Sequence, residues 1–565
     1  MILPNVALAY DPDGYVESTR PKPGGAAGLM GRQVAGQAFL NAYLSHGHWE
    51  TLAAVVRARA EAEPLVEFCK RHPSSIPKRR RLKIIEEAAF LLGSNPDESI
   101  RVLHAPCPPS ARYAWARHSR SAKPFAISGI THTLSTPTAM AALGDLVVAP
   151  FESYDALICT SRAVVQTVRA VADAMADYLR ERFGGEPKLK ARLELIPLGV
   201  DVERFRPATA KERENSRQRF RIANDEVAVL CVGRLSHHAK AHPYPVFHAV
   251  EEAARRTGKR VHLAFAGWAS NRAVMSQYQA SAKLFAPSVR VSFLNGQDAQ
   301  VRATVWAAAD LFVSLPDNVQ ETFGLVVTEA MASGLPVVAS DWNGYRDLIV
   351  DGETGFLVPT QLVRNANVGS TSRLLFGGVN YDHFLAECSQ ATVVDLAAAA
   401  EAMTRLVADE PLRRQLGAAG RNRAVVEFSW QSVIGKYERL WKEQAEELDR
   451  HRGIVPKGPV VYPPVEQSFA AYPTTWLDDH SRVWTGLEAV RRLPAFLKLP
   501  LTNLEAQRRC SDSEVLASLL NSAVDSRTVG EISNALVQRG IAPETAAATV
   551  AWLLKYGLLV TSAGE

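Results

Sequence analysis

Five short apolar runs, at residues 227–232, 261–266, 289–294, 311–314 and 336–340, alternate with stretches of helix length. Runs such as Leu311-Phe312-Val313 are apolar on consecutive residues rather than on every second one, which predicts strands covered on both faces. Parallel strands need a crossover, and a helix in every crossover gives a doubly wound α/β sheet. The last crossover, residues 320–340, reads as loop, helix, turn and strand. A helix is expected to open near Thr322 and run through Ala332. Gly334 stands where a left-handed stop belongs, and Pro336 forbids continuation.

The same crossover carries chemistry. Glu321 and Glu329 are eight positions apart, about two helical turns, and fall on one face of the helix or its lead-in. Gly324 lets backbone approach a ligand closely. The amides of Thr322, Phe323, Gly324, Leu325 and Val326 would form a helix mouth that attracts an anion. An anion cradle beside two carboxylates that accept hydroxyl bonds suits a phosphorylated sugar. An ordinary amphipathic helix with two solvated carboxylates would show the same spacing. After the first run come Gly233, Arg234 and Lys240, and a diphosphate needs fixed positive charge of this kind. His237 and His238 are adjacent, lack carboxylate partners and read as a polar loop rather than metal ligands. Asn295 and Gly296 follow the third run.

Taken together, these residues resemble the retaining glycosyltransferases of family four. Glu321 to Glu329 resembles their E-x7-E signature. Val232, Gly233, Arg234 and Leu235 with Lys240 resemble a G-R-L…K element, here one residue longer than usual between Arg234 and Lys240. Leu195, Ile196, Pro197, Leu198, Gly199, Val200 and Asp201 resemble an I-P-N-G-V-D hinge with Leu198 in place of Asn. Asp155 through Ser161 resembles the strand that precedes the hinge, and Gly352 through Val358 the element that follows the signature helix. The resemblance runs over residues 1–445 and is tightest in the second half. It implies a GT-B fold, two Rossmann-like domains facing a cleft. In that reading Glu329 holds the ribose and Glu321 orients the donor sugar and supports positive charge near its anomeric carbon. Arg234, Lys240 and the helix mouth stabilise the leaving diphosphate. Gly233 and Asn295 lie along the donor, and His132, after the strand at 124–128, contacts donor sugar or acceptor. Gly24, Gly25 and Gly28 form a loop over the cleft. The family works without a metal, so no cofactor is expected. UDP-sugar is the favoured donor and GDP-mannose the second. A sensor that binds nucleotide sugar without transfer, and a glycogen- or sucrose-synthase activity, share the motif; a phosphorylase lysine motif is not seen.

The expected domains are 1–207 for the acceptor, 208–427 for the nucleotide sugar with an insertion at 361–392, a crossover helix at 428–445, a Pro-rich tether at 446–507 and a module at 508–565. At 565 residues the chain can bury several cores. Residues 48–98 read as mostly helical, and 208–222 as a charged linker. Lys78, Arg79, Arg80, Arg81 and Lys83 form either a solvated basic face or a peripheral membrane contact. The terminal module reads as helices at 513–520, 528–538 and 543–556 before a final strand, which looks like a winged helix similar to PqqD-like peptide-binding modules. It holds six acids against five basic residues, which argues against nucleic acid. A protein-interaction or homodimerising role follows, with a peptide or protein as one acceptor. The six cysteines are scattered, no run is long enough to span a bilayer, and no leader is evident, so the expected location is cytoplasmic.

Overall fold

A computed structural model of the protein describes residues 4–15, 31–72, 81–93, 100–119, 125–451 and 463–562. Gly24, Gly25, Gly28, Lys78, Arg79 and Arg80 lie outside the described residues. The chain divides into two units, Met1–Val461 and Tyr462–Glu565.

The first unit holds two parallel sheets. The first contains β1 (Asn5–Ala9), β2 (Thr51–Val56), β3 (Arg81–Glu86), β4 (Ile100–Ala105), β5 (Ala126–Ile130), β6 (Ala156–Cys159) and β7 (Arg192–Leu195), in the order β3-β2-β1-β4-β5-β6-β7. The second contains β8 (Glu226–Val232), β9 (Arg260–Gly267), β10 (Arg290–Asn295), β11 (Leu311–Ser314), β12 (Val337–Ser340) and β13 (Gly355–Val358), in the order β10-β9-β8-β11-β12-β13. Each order reverses once, between β1 and β4 in one sheet and between β8 and β11 in the other. At such a reversal the loops leave in opposite directions and open a crevice at the strands' carboxyl ends. The central strands β11 and β12 are buried on both faces, with Phe312 and Val338 wholly covered, while the edge strand β10 is only partly buried.

Residues 48–98 correct the helical expectation. Among the described residues they supply β2 and β3, with α-helices at Glu63–Arg71 and Glu87–Leu92 and a 3-10 turn at Arg59–Ala62. The run Leu52-Ala53-Ala54-Val55-Val56 has no helical period, and burial between β1 and β3 makes it a strand. Arg81 and Lys83 therefore lie on the edge strand β3.

The charged stretch expected as a linker is the helix Ala210–Arg219, started by a capping box between Thr209 and Glu212. Its Arg213 and Arg217 converge on Asp310, which also accepts the amide of Ala228 at 2.7 Å. The charges therefore fasten this helix to the starts of β8 and β11.

The two sheets are joined at the hinge. Val200 donates to the Phe428 carbonyl at 2.8 Å, and its own carbonyl accepts from Trp430 at 3.3 Å. A Cβ on Gly199 would meet the Trp430 ring at 2.3 Å, so only glycine lets that ring pack there. The crossover helix, Trp430–Arg450, is longer than expected. It returns to the first sheet, where the Trp441 indole donates to Ser128 at 3.2 Å and Gln444 to the Ile127 carbonyl at 3.0 Å.

The insertion is more than a loop or hairpin. β14 (Thr360–Leu362) pairs antiparallel with β15 (Thr392–Val394) and encloses helices Ser370–Leu375 and Tyr381–Ala391.

The second unit takes in part of the stretch expected as a tether. β16 (Arg482–Thr485) is the middle strand of a small antiparallel sheet, between β17 (Arg527–Thr528) and β18 (Leu559–Val560). Helices Ala489–Lys498, Ser513–Ser522, Val529–Val537 and Pro543–Lys555 pack into one core around Leu493, Leu520, Leu536 and Leu553. The module thus begins before residue 508, because its central strand precedes it.

Candidate functional site

The reversal between β8 and β11 brings three loops together. The loop after β8 carries Gly233, Arg234 and Lys240. The loop after β11 carries Asp317, Asn318 and Glu321. The loop after β12 carries Trp342, Asn343 and Tyr345. A cavity of ≈ 50 Å³ is lined by Gly233, Arg234, Lys240, Glu321, Val326 and Tyr345, among others.

Glu321 is the centre of the arrangement. Its Oε2 pairs with the Lys240 ammonium at 3.2 Å. Its Oε1 accepts the amides of Thr322 at 3.2 Å and Phe323 at 3.4 Å. Burial works to raise this carboxyl, but Lys240 and the two amides outweigh it and hold Glu321 below the usual carboxylate range. The helix itself opens at Leu325, three residues later than expected, and Glu321 to Gly324 is its lead-in. The amides of Thr322 and Phe323 are thus engaged by Glu321, and the mouth offered to an anion is that of Gly324, Leu325 and Val326.

Gly324 explains the later start. Its φ is +109°, a conformation side chains avoid, and a Cβ there would meet the Tyr345 ring at 2.3 Å. Tyr345 is wholly buried and its hydroxyl shares a hydrogen bond with Ser314 at 2.9 Å. Around it, Asn343 donates to the Glu321 carbonyl at 2.8 Å and Trp342 to the Asn318 carbonyl at 2.8 Å. Sequence reasoning passed over Asn343 and Tyr345. Their signal was position, directly after the strand β12 at the carboxyl edge of the sheet.

Asp317 is another residue the motifs did not flag. It is buried, and its Oδ2 accepts the His242 amide at 3.2 Å while Oδ1 has no partner. Burial pushes its carboxyl up to about 6, against the opposing hydrogen bonds from Ser389 and the His242 amide. Burial lowers His238 and His242 below the ordinary imidazole value, which favours their neutral forms.

Glu329 lies on the signature helix but does not line the cavity. Burial pushes its carboxyl up to about 7, with Arg204 opposing. Asn295 is exposed at the end of β10, where its side chain accepts the Gln297 amide at 3.0 Å.

His132 belongs to the first sheet, just past β5. Its Nε2 is 3.0 Å from the Pro106 carbonyl, which fixes the ring next to the loop after β4. Beneath it, burial lowers His104 to about 3, with His132 adding to the effect. The two domains meet close by. Ser161 donates to the Thr322 carbonyl at 3.0 Å, and the Arg162 amide donates to Asp347 at 2.6 Å. The residue after Glu321 is therefore in direct contact with the first domain.

Among the described residues no group of three His, Cys, Asp or Glu side chains is placed to hold a metal ion, and no helix is long and apolar enough to cross a membrane. All six cysteines are free thiols.

Residues 212–368 match the family described as Glycosyl transferases group 1. The matched span holds Arg234, Lys240, Glu321 and Glu329. The chain is similar to a D-inositol 3-phosphate glycosyltransferase of Nocardia farcinica, 32% identical over 255 residues, which is 44% of this chain and 53% of the relative. A Geodermatophilus obscurus protein of the same name is 27% identical over 347 residues, 60% of this chain and 65% of the relative. The chain thus spans between half and two thirds of the length of these relatives. Among solved structures, sucrose-phosphate synthase from Thermosynechococcus elongatus aligns at 18% identity and a TM-score of 0.48, over 78% of this chain and 99% of that one. Anabaena HepE in complex with UDP and glucose aligns at 16% identity and 0.46, over 79% and 100%.

Proposed function

We propose that the protein is a hexosyltransferase that moves a sugar from a nucleoside diphosphate sugar to a hydroxyl acceptor, with retention of anomeric configuration and without a metal. A UDP-sugar is the first donor to test and GDP-mannose the second. The observation that carries this reading is the convergence of Arg234, Lys240 and Glu321 on one cavity at the reversal of the second sheet, inside the span that matches the glycosyltransferase family.

The chemistry follows from charge. A departing diphosphate gains negative charge as the glycosidic bond breaks, and fixed cations in a site sheltered from water stabilise it without reorganising. Arg234 offers a planar fork, Lys240 a point charge, and the amides of Gly324, Leu325 and Val326 add dipoles aimed at the same place. Lys240 exchanges its Glu321 partner for phosphate oxygens. Glu321 is then released toward the donor sugar, where its ionised carboxylate accepts hydroxyl hydrogen bonds and supports the positive charge that develops at the anomeric carbon. Glu329, protonated about half the time near neutrality, is stabilised in its ionised form once a ribose diol donates to it. With Glu321 on one side of the sugar and the leaving group on the other, the acceptor enters on the leaving group's face and a phosphate oxygen takes its proton.

A panel of nucleotide sugars read by thermal shift tests the donor. A ligand at 100 times its dissociation constant adds about 2.7 kcal/mol of stability. The anomeric coupling constant of the product reads retention, and turnover in the presence of a chelator reads the metal. Inositol 3-phosphate belongs in the acceptor panel, because the aligned relatives are named for it. A chain that binds UDP tightly yet yields no product with any donor and acceptor would be the sensor instead. A sugar polymer among the products would point to a synthase of glycan.

A further inference from the structure

The insertion is placed against the site in a way the motifs do not account for. β14 and β15 close it at the base, and its own core of Leu374, Phe384, Leu385 and Cys388 takes in Ala239. Ala239 is the residue before Lys240. Asn318, in the loop after β11, donates to the Lys240 carbonyl at 3.0 Å. The loop that carries Lys240 is therefore held between the insertion and the loop after β11.

Tyr381 opens the inner helix of the insertion, behind the N-cap Asn380. Its hydroxyl lies 2.8 Å from the Ser135 hydroxyl. Ser135 belongs to the first domain, three residues after His132. A hydroxyl carried by the second domain's insertion thus bonds the first domain. A decorative insertion would turn this end of the helix to solvent. The neighbouring pair of His238 and Asp382, at 3.6 Å and partly exposed, adds little by comparison.

We propose that Tyr381 is a positioning residue, a latch that ties the His132 loop of the first domain to the second domain when the two close on each other. The insertion is the strap that carries it. The inference rests on the transferase reading for its kinetic consequence, but not for its structural one. A hydrogen bond made only in the closed arrangement favours closure without contacting the reacting atoms. Removing it shifts the balance toward the open arrangement about two- to tenfold.

The test compares Tyr381→Phe, Ser135→Ala and the double variant in the full chain. The phenylalanine keeps the ring and its packing, so UDP affinity, set by Arg234 and Lys240, is expected to stay within about twofold. Amide hydrogen exchange at residues 131–136 should rise in each single variant by about two- to tenfold, with no further rise in the double. Under saturating substrates kcat should fall by the same factor, and the double variant should be no slower than either single. Exchange unchanged in Tyr381→Phe, or effects of the two substitutions that add, overturns the latch. Exchange does not depend on turnover. A wild-type chain that transfers no sugar therefore counts against the transferase reading alone, and the exchange arm still decides the latch.

Discussion

The two sheets of the first unit have the same plan and different chemistry at their reversals. Between β8 and β11 the loops bring Arg234, Lys240, Asp317 and Glu321 together. Between β1 and β4 the described loops bring aromatic groups and histidines, with Asp11 as a neighbouring acid. Tyr10 and Tyr15 stack with ring centres 5.7 Å apart, and both hydroxyls are buried without a partner. His104 is wholly buried and neutral, and His132 leans on the Pro106 carbonyl. A doubly wound sheet offers a crevice at each reversal, and the side chains decide what it takes. Fixed cations beside a helix mouth suit a diphosphate, while aromatic faces with unpaired hydroxyls suit a neutral polyhydroxyl partner. The proposed donor therefore belongs to the second sheet and the acceptor to the first.

The sharpest way to break this division is Glu321→Ala. It should lower kcat by about 10²–10³-fold, the cost of removing one preorganised electrostatic contact, while the cooperative melt persists. Steady-state kinetics beside a thermal melt check both halves, and near-normal turnover would remove Glu321 from the chemistry. Gly324→Ala should act through stability. A side chain at φ +109° and against Tyr345 costs about 2–4 kcal/mol, read from denaturant unfolding.

A subtler effect is expected at Glu329. Its carboxyl is raised to about 7 in the free protein, so folding favours its protonated form. The resulting stability is full below the ordinary carboxylate value and is lost as pH rises through about 7. A ribose that donates to the carboxylate favours the ionised form, so UDP binding should release a proton and tighten as pH rises toward about 7. The slope is at most about tenfold per pH unit. Calorimetry in buffers of different ionisation enthalpy counts the proton, and Glu329→Gln should flatten the profile. The smallest effect is expected on the first sheet. His132→Ala should change acceptor-dependent kinetics about two- to tenfold and leave UDP affinity alone. A larger loss of UDP affinity than of acceptor kinetics would place the donor differently from the division drawn here.

Much of the second sheet was legible in the residue order. Short apolar runs with Gly and Pro between them, alternating with stretches of helix length, favour strands of a parallel sheet, and Gly324, Gly334 and Pro336 mark backbone conformations that few other residues tolerate. The clustering of Arg234, Lys240 and Glu321 followed from placing short loops at one edge of such a sheet. The first sheet was harder, because an alanine- and valine-rich run such as β2 has no period to tell strand from helix until its neighbours bury it. Three features belonged to the tertiary structure alone. The start of the signature helix was decided by Tyr345 beneath Gly324. The role of the charged stretch at 208–222 was decided by Asp310, about ninety positions away along the chain. The bond between Tyr381 and Ser135 joins residues 246 positions apart. Local sequence fixes what a residue prefers, and only packing fixes which distant group it meets.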